Sequence, residues 1–280
     1  MSEQDAAPVG AKPAPNNLVM RVLAALVLAP LTIAVAYAGG WLWALLVTLV
    51  SIGLFAEWLT VVGAGSAALT GAGTIVIAMM GAAVAFGGLK TSIIVGLVGG
   101  AIVTLIARGK FLWAATGFAY AAAALLASIL VRKDLLNGFS ALMFVLLVVW
   151  ATDIGGYFAG RSIGGPKLWP RVSPKKTWSG ALGGFVASLL VAVGFAACGF
   201  GKMGPLLLVS AILSVVSALG DLFESAVKRR FGVKDSSHLI PGHGGLLDRL
   251  DGFVAAILAA WIIGFLRHGV HSAGSGLMVW

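Results

Sequence analysis

An all-α fold, a polytopic integral membrane bundle of about nine transmembrane helices, is what this sequence predicts, and three observations carry that prediction. The chain is 60% hydrophobic and only 10% charged, with a mean hydropathy of +1.02, whereas a water-facing surface ordinarily needs about 25% charged residues overall. Apolar runs of roughly 20 residues, enough to cross about 30 Å of hydrocarbon, recur along nearly the whole length. Cys198 is the only cysteine, so no intrachain disulfide staples an oxidised ectodomain, and it reads as a packing residue. A soluble enzyme, a disordered chain and a singly anchored domain are thereby excluded.

In chain order, the segment MSEQDAAPVGAKPAPNN lacks both the basic start and apolar run of a signal peptide and the Arg-rich pattern of a transit peptide. Residues 1–19 therefore read as a disordered cytoplasmic tail. Spans are expected at 20–39, 41–62, 69–89, 91–108, 111–131, 138–160, 179–200, 203–227 and 246–266. Trp41, Trp43, Trp58 and Trp113 fall near the ends of these spans, where aromatic belts lie. Residues 20–137 form an N-terminal set of helices, 138–268 a catalytic set with its loops, and 269–280 a C-terminal tail.

The net charge of +9 would suggest nucleic acid in a soluble protein. Here the basic residues occupy short links between apolar runs, so membrane orientation explains them first and no nucleic-acid partner is expected. With nine spans, Arg108, Lys110, Arg161, Lys167, Arg171, Lys175, Lys176, Lys228, Arg229, Arg230 and Lys234 share one side with the N-terminus. Only Lys90, Arg132, Lys133, Lys202 and Arg267 fall on the other. The positive-inside rule makes the first side cytoplasmic.

Acids at membrane depth are costly and ordinarily face a partner, a cavity or a cation. Asp153, Asp221, Glu224, Asp248 and Asp251 lie within or at the cytoplasmic ends of the sixth, eighth and ninth spans. Asp221, Glu224, Ser225 and Lys228 share one helical face, and Asp248 and Asp251 share another, with Arg249 between them. Two acids on one turn repel unless a cation is present. Asp221, Asp248 and Asp251 are thus the metal candidates, suited to Mg²⁺ held by carboxylates and substrate phosphates. The ordinary alternative is that each acid marks a helix end at the interface or complements a helix dipole.

The loop GRSIGGPKLWPRVSPKKTWSG brings Lys175 and Lys176 beside Ser173, Thr177 and Ser179, with Gly164, Gly165 and Gly180 permitting close backbone approach. It has the makings of a phosphate cradle, although such clusters also bind lipid head groups or merely fix topology. It is not a Walker loop, since no GxxxxGK[ST] occurs. The loop KRRFGVKDSSHLIPGHGGLLDRLD adds Lys228, Arg229, Lys234, His243, Gly244 and Gly245 directly before the acidic helix. Zinc is excluded by ligand spacing. A Ser225–His243–Asp248 hydrolase lacks a GxSxG elbow.

The run from Ser225 to Asp251, S-A-V-K-R-R-F-G-V-K-D-S-S-H-L-I-P-G-H-G-G-L-L-D-R-L-D, resembles the signature of the phosphatidate cytidylyltransferase, or CDP-diacylglycerol synthase, family. Asp153, Gly156, Tyr157, Gly160 and Ser173-Pro174-Lys175-Lys176-Thr177 resemble that family's other recurring stretch. One departure is Ser179, where many members carry Glu. The resemblance covers the C-terminal half. It implies an integral enzyme of the bacterial inner membrane that joins CTP to phosphatidic acid, giving CDP-diacylglycerol and pyrophosphate. It also implies Mg²⁺ dependence, with room for a second cation, and is compatible with a homodimer.

On that reading Asp221, Asp248 and Asp251 hold the cations, while Lys228, Arg229 and Arg249 neutralise the triphosphate and leaving pyrophosphate. His243, Gly244 and Gly245 add donors. Ser173, Lys175, Lys176 and Thr177 are candidates for binding nucleotide or lipid phosphate. Competing readings are a CTP-dependent lipid-alcohol kinase, which releases CDP instead of pyrophosphate, a secondary transporter coupling ions through intramembrane carboxylates, and a membrane scaffold.

Overall fold

The computed structural model describes residues 17–237 and 244–280 of the 280-residue chain. The expected N-terminal tail lies almost wholly outside them, as does His243. Nine long helices run through the described residues: α1 (Asn17–Ala38), α2 (Gly40–Val61), α3 (Ala67–Ala82), α4 (Leu89–Ile106), α5 (Phe111–Lys133), α6 (Gly138–Ser162), α7 (Trp178–Ala197), α8 (Met203–Arg230) and α9 (Leu247–His268). Eight of them, α2 to α9, are long and apolar enough to cross a membrane, and the described apolar part of α1 is the shorter Leu26–Ala38. The apolar residues all round these helices leave large side chains such as Leu97, Leu105 and Leu190 exposed, as expected where hydrocarbon is the solvent.

Local chemistry sets several helix starts. Ser66 Oγ accepts from Leu69 N at 3.2 Å to begin α3, and Thr177 Oγ1 accepts from Gly180 N at 3.1 Å to begin α7, each satisfying an amide with no intrahelical partner. After α3 the chain widens through one π turn, Ala83–Gly87, and breaks at Gly88, whose φ of 92° suits glycine.

Hydrogen bonds between links sort the helix ends onto two faces. On one, Lys110 before α5 donates to Val62 and Gly63 after α2, Arg229 at the end of α8 donates to Val172 before α7, and Arg230 lies over the ring of Trp113. On the other, Arg132 at the end of α5 donates to Ala36 and Tyr37 at the end of α1, and Asp134 accepts from Ser275 after α9. The nine helices therefore alternate in direction, as the basic links predict.

Three features differ from the expected reading. The loop after α6 contains a small antiparallel hairpin, β1 (Lys167–Trp169) and β2 (Ser173–Thr177), pairing Lys167 with Thr177 and Trp169 with Ser173. The segment after α9, read as a tail, carries a short helix α10 (Ala273–Met278) whose six residues are buried. Arg267 Nη1 and Asp134 both bond to it. Cys198, expected to pack, is exposed just after α7.

Candidate active site

Helices α6 and α7 touch almost backbone to backbone. A Cβ on Gly180 would lie 2.8 Å from the carbonyl oxygen of Gly156, so only glycine permits this approach. The hairpin is thereby held over the junction of α6, α7 and α8, where a cavity of about 760 Å³ opens. Its walls carry Asp153 and Tyr157 from α6, Lys175 and Lys176 from β2, and Asp221 from α8. Phe185 and Val215, two turns farther from that face along α7 and α8, make the rest of the wall apolar. The cavity has a charged mouth and a hydrophobic body.

Asp153 and Asp221 each precede the end of their helix by nine residues, about 13 Å at 1.5 Å per residue. They are therefore not helix-end acids. Lys176 forms an ion pair with Asp221, and Ser225 Oγ donates to Asp221 Oδ1 at 3.3 Å from the next turn. Helix α9 packs closely on α8 at this level: a Cβ on Gly220, next to Asp221, would lie 2.7 Å from the carbonyl oxygen of Asp251. Asp251 Oδ1 accepts from Gly252 N at 2.7 Å.

A second cluster lies beside the first, between α8 and α9. Lys228 Nζ sits 2.7 Å from Glu224 Oε2 and 2.5 Å from Asp248 Oδ1. Asp248 Oδ2 accepts from Ser236 N at 3.0 Å and Gly245 N at 3.1 Å, and shares the single proton of Ser236 Oγ, 3.0 Å away, with Glu57. Gly244, at φ 88°, makes the turn that presents Gly245 to this carboxylate. Arg229 Nη1 donates to Val233 O at 3.2 Å, and Lys234 is exposed.

The three acids singled out as metal candidates thus divide. Asp221 and Asp251 are neighbours, whereas Asp248 is engaged by Lys228 and by three donors to its other oxygen. Among the described residues no three carboxylate, imidazole or thiolate groups converge as a ready-made metal site. A hard divalent ion nevertheless fits Asp221 and Asp251. Mg²⁺ typically takes one or two carboxylates and completes its shell with substrate phosphates and water, and Lys176 is paired with Asp221.

Glu57 of α2 is the site residue that sequence reasoning passed over. It is 5% exposed and accepts from both Ser236 and Ser237 and from the backbone of Leu246 and Leu247. Its one legible signal was being the only acid within the first five spans.

A bundle of alternating apolar helices, with intramembrane acids and a basic hairpin around one amphipathic cavity, defines a class of membrane protein that can bring an anionic water-soluble ligand against a lipid. The chain belongs to the cytidylyltransferase family, whose model matches residues 19–266. It is 41% identical over 264 residues to the phosphatidate cytidylyltransferase of Brucella suis, covering 89% of this chain and 94% of that protein. The phosphatidate cytidylyltransferase of Haemophilus influenzae is 45% identical over 130 residues, and that of Bacillus subtilis 46% over 119 residues. These two matches cover 44% and 42% of this chain, and 45% and 44% of the respective relatives. The chain is a nucleotidyltransferase of the membrane.

Proposed function

We propose that the chain transfers the cytidylyl group of CTP to phosphatidic acid, giving CDP-diacylglycerol and pyrophosphate, at the cytoplasmic face of the bacterial inner membrane with its N-terminus inside. The observation that carries this reading is the cavity, whose charged mouth and apolar body match a phosphate attached to acyl chains.

In the reaction a phosphatidate oxygen bonds to the α-phosphorus of CTP. The bond from that phosphorus to the oxygen bridging to the β-phosphorus breaks, and pyrophosphate leaves with the electron pair. No protein nucleophile is needed, so the side chains contribute position and charge neutralisation. Lys175 and Lys176 face the cavity mouth and are suited to hold phosphate oxygens, with Lys176 released from Asp221 as charge is redistributed. Arg249, in the first turn of α9, and Arg229, in the last turn of α8, are suited to offset the charge of the triphosphate. Ser173 and Thr177 fix the strand that carries the two lysines, Thr177 by capping α7. Lys228 and Asp248 hold α8 and α9 in register beside Asp221 and Asp251. Mg²⁺, held by Asp221 and Asp251, would neutralise phosphate charge and polarise the phosphorus under attack.

The test incubates detergent-purified protein with phosphatidic acid, α-labelled CTP and Mg²⁺, beside a folded Asp221→Asn variant. Label entering the lipid extract with stoichiometric pyrophosphate, and lost in the variant, is the expected result. Folded protein that labels no lipid, or that releases CDP instead of pyrophosphate, would overturn it.

A further inference from the structure

Glu57 belongs to the N-terminal half of the chain, outside the stretches that carry the family resemblance, yet it bonds to Ser236 and Ser237 on one side of the loop and to Leu246 and Leu247 on the other. Its Oε1 accepts from Ser237 Oγ at 2.6 Å and Leu246 N at 2.9 Å. Its Oε2 accepts from Ser236 Oγ at 2.9 Å and Leu247 N at 2.7 Å. Four donors offset what would otherwise be a costly buried carboxylate.

Two of those donors are amides of the first turn of α9. First-turn amides have no acceptor within their own helix, and Leu246 at the cap position supplies no side-chain oxygen. A carboxylate from another helix fills that role, where the helix dipole favours negative charge. Ser236 then links Glu57 to the catalytic face, because its hydroxyl lies within reach of both Glu57 Oε2 and Asp248 Oδ2. The backbone approach is shaped to match: a Cβ on Gly53, one turn before Glu57, would come 2.8 Å from Leu246 Cδ2. Leu54 and Trp58 of α2 join Leu247 and Val254 of α9 in one buried cluster.

We infer that Glu57 is a positioning residue for the proposed reaction: by capping α9 in trans and holding Ser236, it sets Asp248 against Lys228 and Asp251 beside Asp221. Only the catalytic readout rests on the proposed reaction. Gln at this position keeps the shape but turns an NH₂ donor toward backbone donors, so the α9 amides lose an acceptor.

The experiment compares wild type, Glu57→Gln, Glu57→Asp and Trp43→Phe, which removes a bond from Trp43 Nε1 to Ser128 O between α2 and α5. Melting temperature, amide hydrogen exchange across residues 244–250, and kcat and KM for CTP are measured on each. Glu57→Gln is expected to speed exchange in that segment and lower kcat by about 10- to 100-fold. Glu57→Asp should recover part of the loss, and Trp43→Phe should keep its kcat at a similarly lowered melting temperature. Unchanged exchange, wild-type kcat in folded Glu57→Gln, or an equal kcat loss in Trp43→Phe would each overturn the inference. If wild type labels no lipid, the proposed reaction fails, and the exchange comparison alone decides for or against Glu57. Should Glu57→Gln not fold, Gly53→Leu, which pushes Leu246 off α2 with the carboxylate intact, carries the same measurements and outcomes.

Discussion

Two acids and one cation occupy the buried contact between α8 and α9: Lys228 is shared by Glu224 and Asp248. Such groups are stable at depth only together, since removing one partner leaves an uncompensated charge. The same rule acts on the opposite face, where Asp134 Oδ1 accepts from Leu136 N at 2.9 Å and Asn137 N at 3.1 Å and Oδ2 from Ser275 N at 2.6 Å. Burial alone would raise the Asp134 carboxyl, but these bonds outweigh it and hold the group below its ordinary value. A depressed carboxyl contributes stability above its unfolded-state value and loses it as pH falls through the folded one. Asp134→Asn should therefore cost about 1–3 kcal/mol at neutral pH, constant from pH 8 to pH 5 and shrinking only below about pH 4. Thermal unfolding in detergent across that range checks it, and a difference that titrates between pH 5 and 8 would be the wrong result.

The elements that carry the site are held by unusually close backbones. Helices α6 and α7 meet through Gly155, Gly156 and Gly160 on one side and Gly180, Gly183 and Gly184 on the other, the small-residue contact that membrane helices favour. That contact fixes Asp153 in α6 relative to Lys176, which immediately precedes the α7 cap. Gly180→Leu should separate the helices, cost about 1–3 kcal/mol of stability and remove lipid labelling. Gly194→Leu, where an added Cβ meets nothing within 4 Å, should leave both unchanged. Melting temperature and turnover of the two variants give the comparison, and a fully active Gly180→Leu enzyme would show that the contact does not set the site. The hairpin was not legible from composition, because Pro, Gly and Lys around β2 obscure a strand, and its register is set by pairing across a tight link.

For the whole molecule, alternation of nine helices puts the hairpin and residues 231–237 and 244–246 on one face and Cys198 on the other. Cys198 is exposed and the sole cysteine, so orientation has a direct readout. With the N-terminus inside, a membrane-impermeant thiol reagent should label Cys198 in spheroplasts, and sealed inside-out vesicles should be protected until detergent is added. Labelling only from the cytoplasmic side would reverse the orientation.

The sequence by itself determined the solvent, the helices and the chemistry. Apolar run length marks which segments are long enough to span, basic links predict their direction, and the cost of intramembrane acids marks Asp153, Asp221, Glu224, Asp248 and Asp251, because each of these is a property of one residue or one short window. What only the tertiary structure decided is how those acids divide. Asp248 turns to Lys228 and Ser236 while Asp221 turns to Lys176 and Ser225, a choice made by the rotation of α9 against α8 that helical spacing leaves open. Glu57 was hidden for a related reason: its partners are 179 to 190 residues away, and only packing α2 against the start of α9 brings a lone acid to four donors.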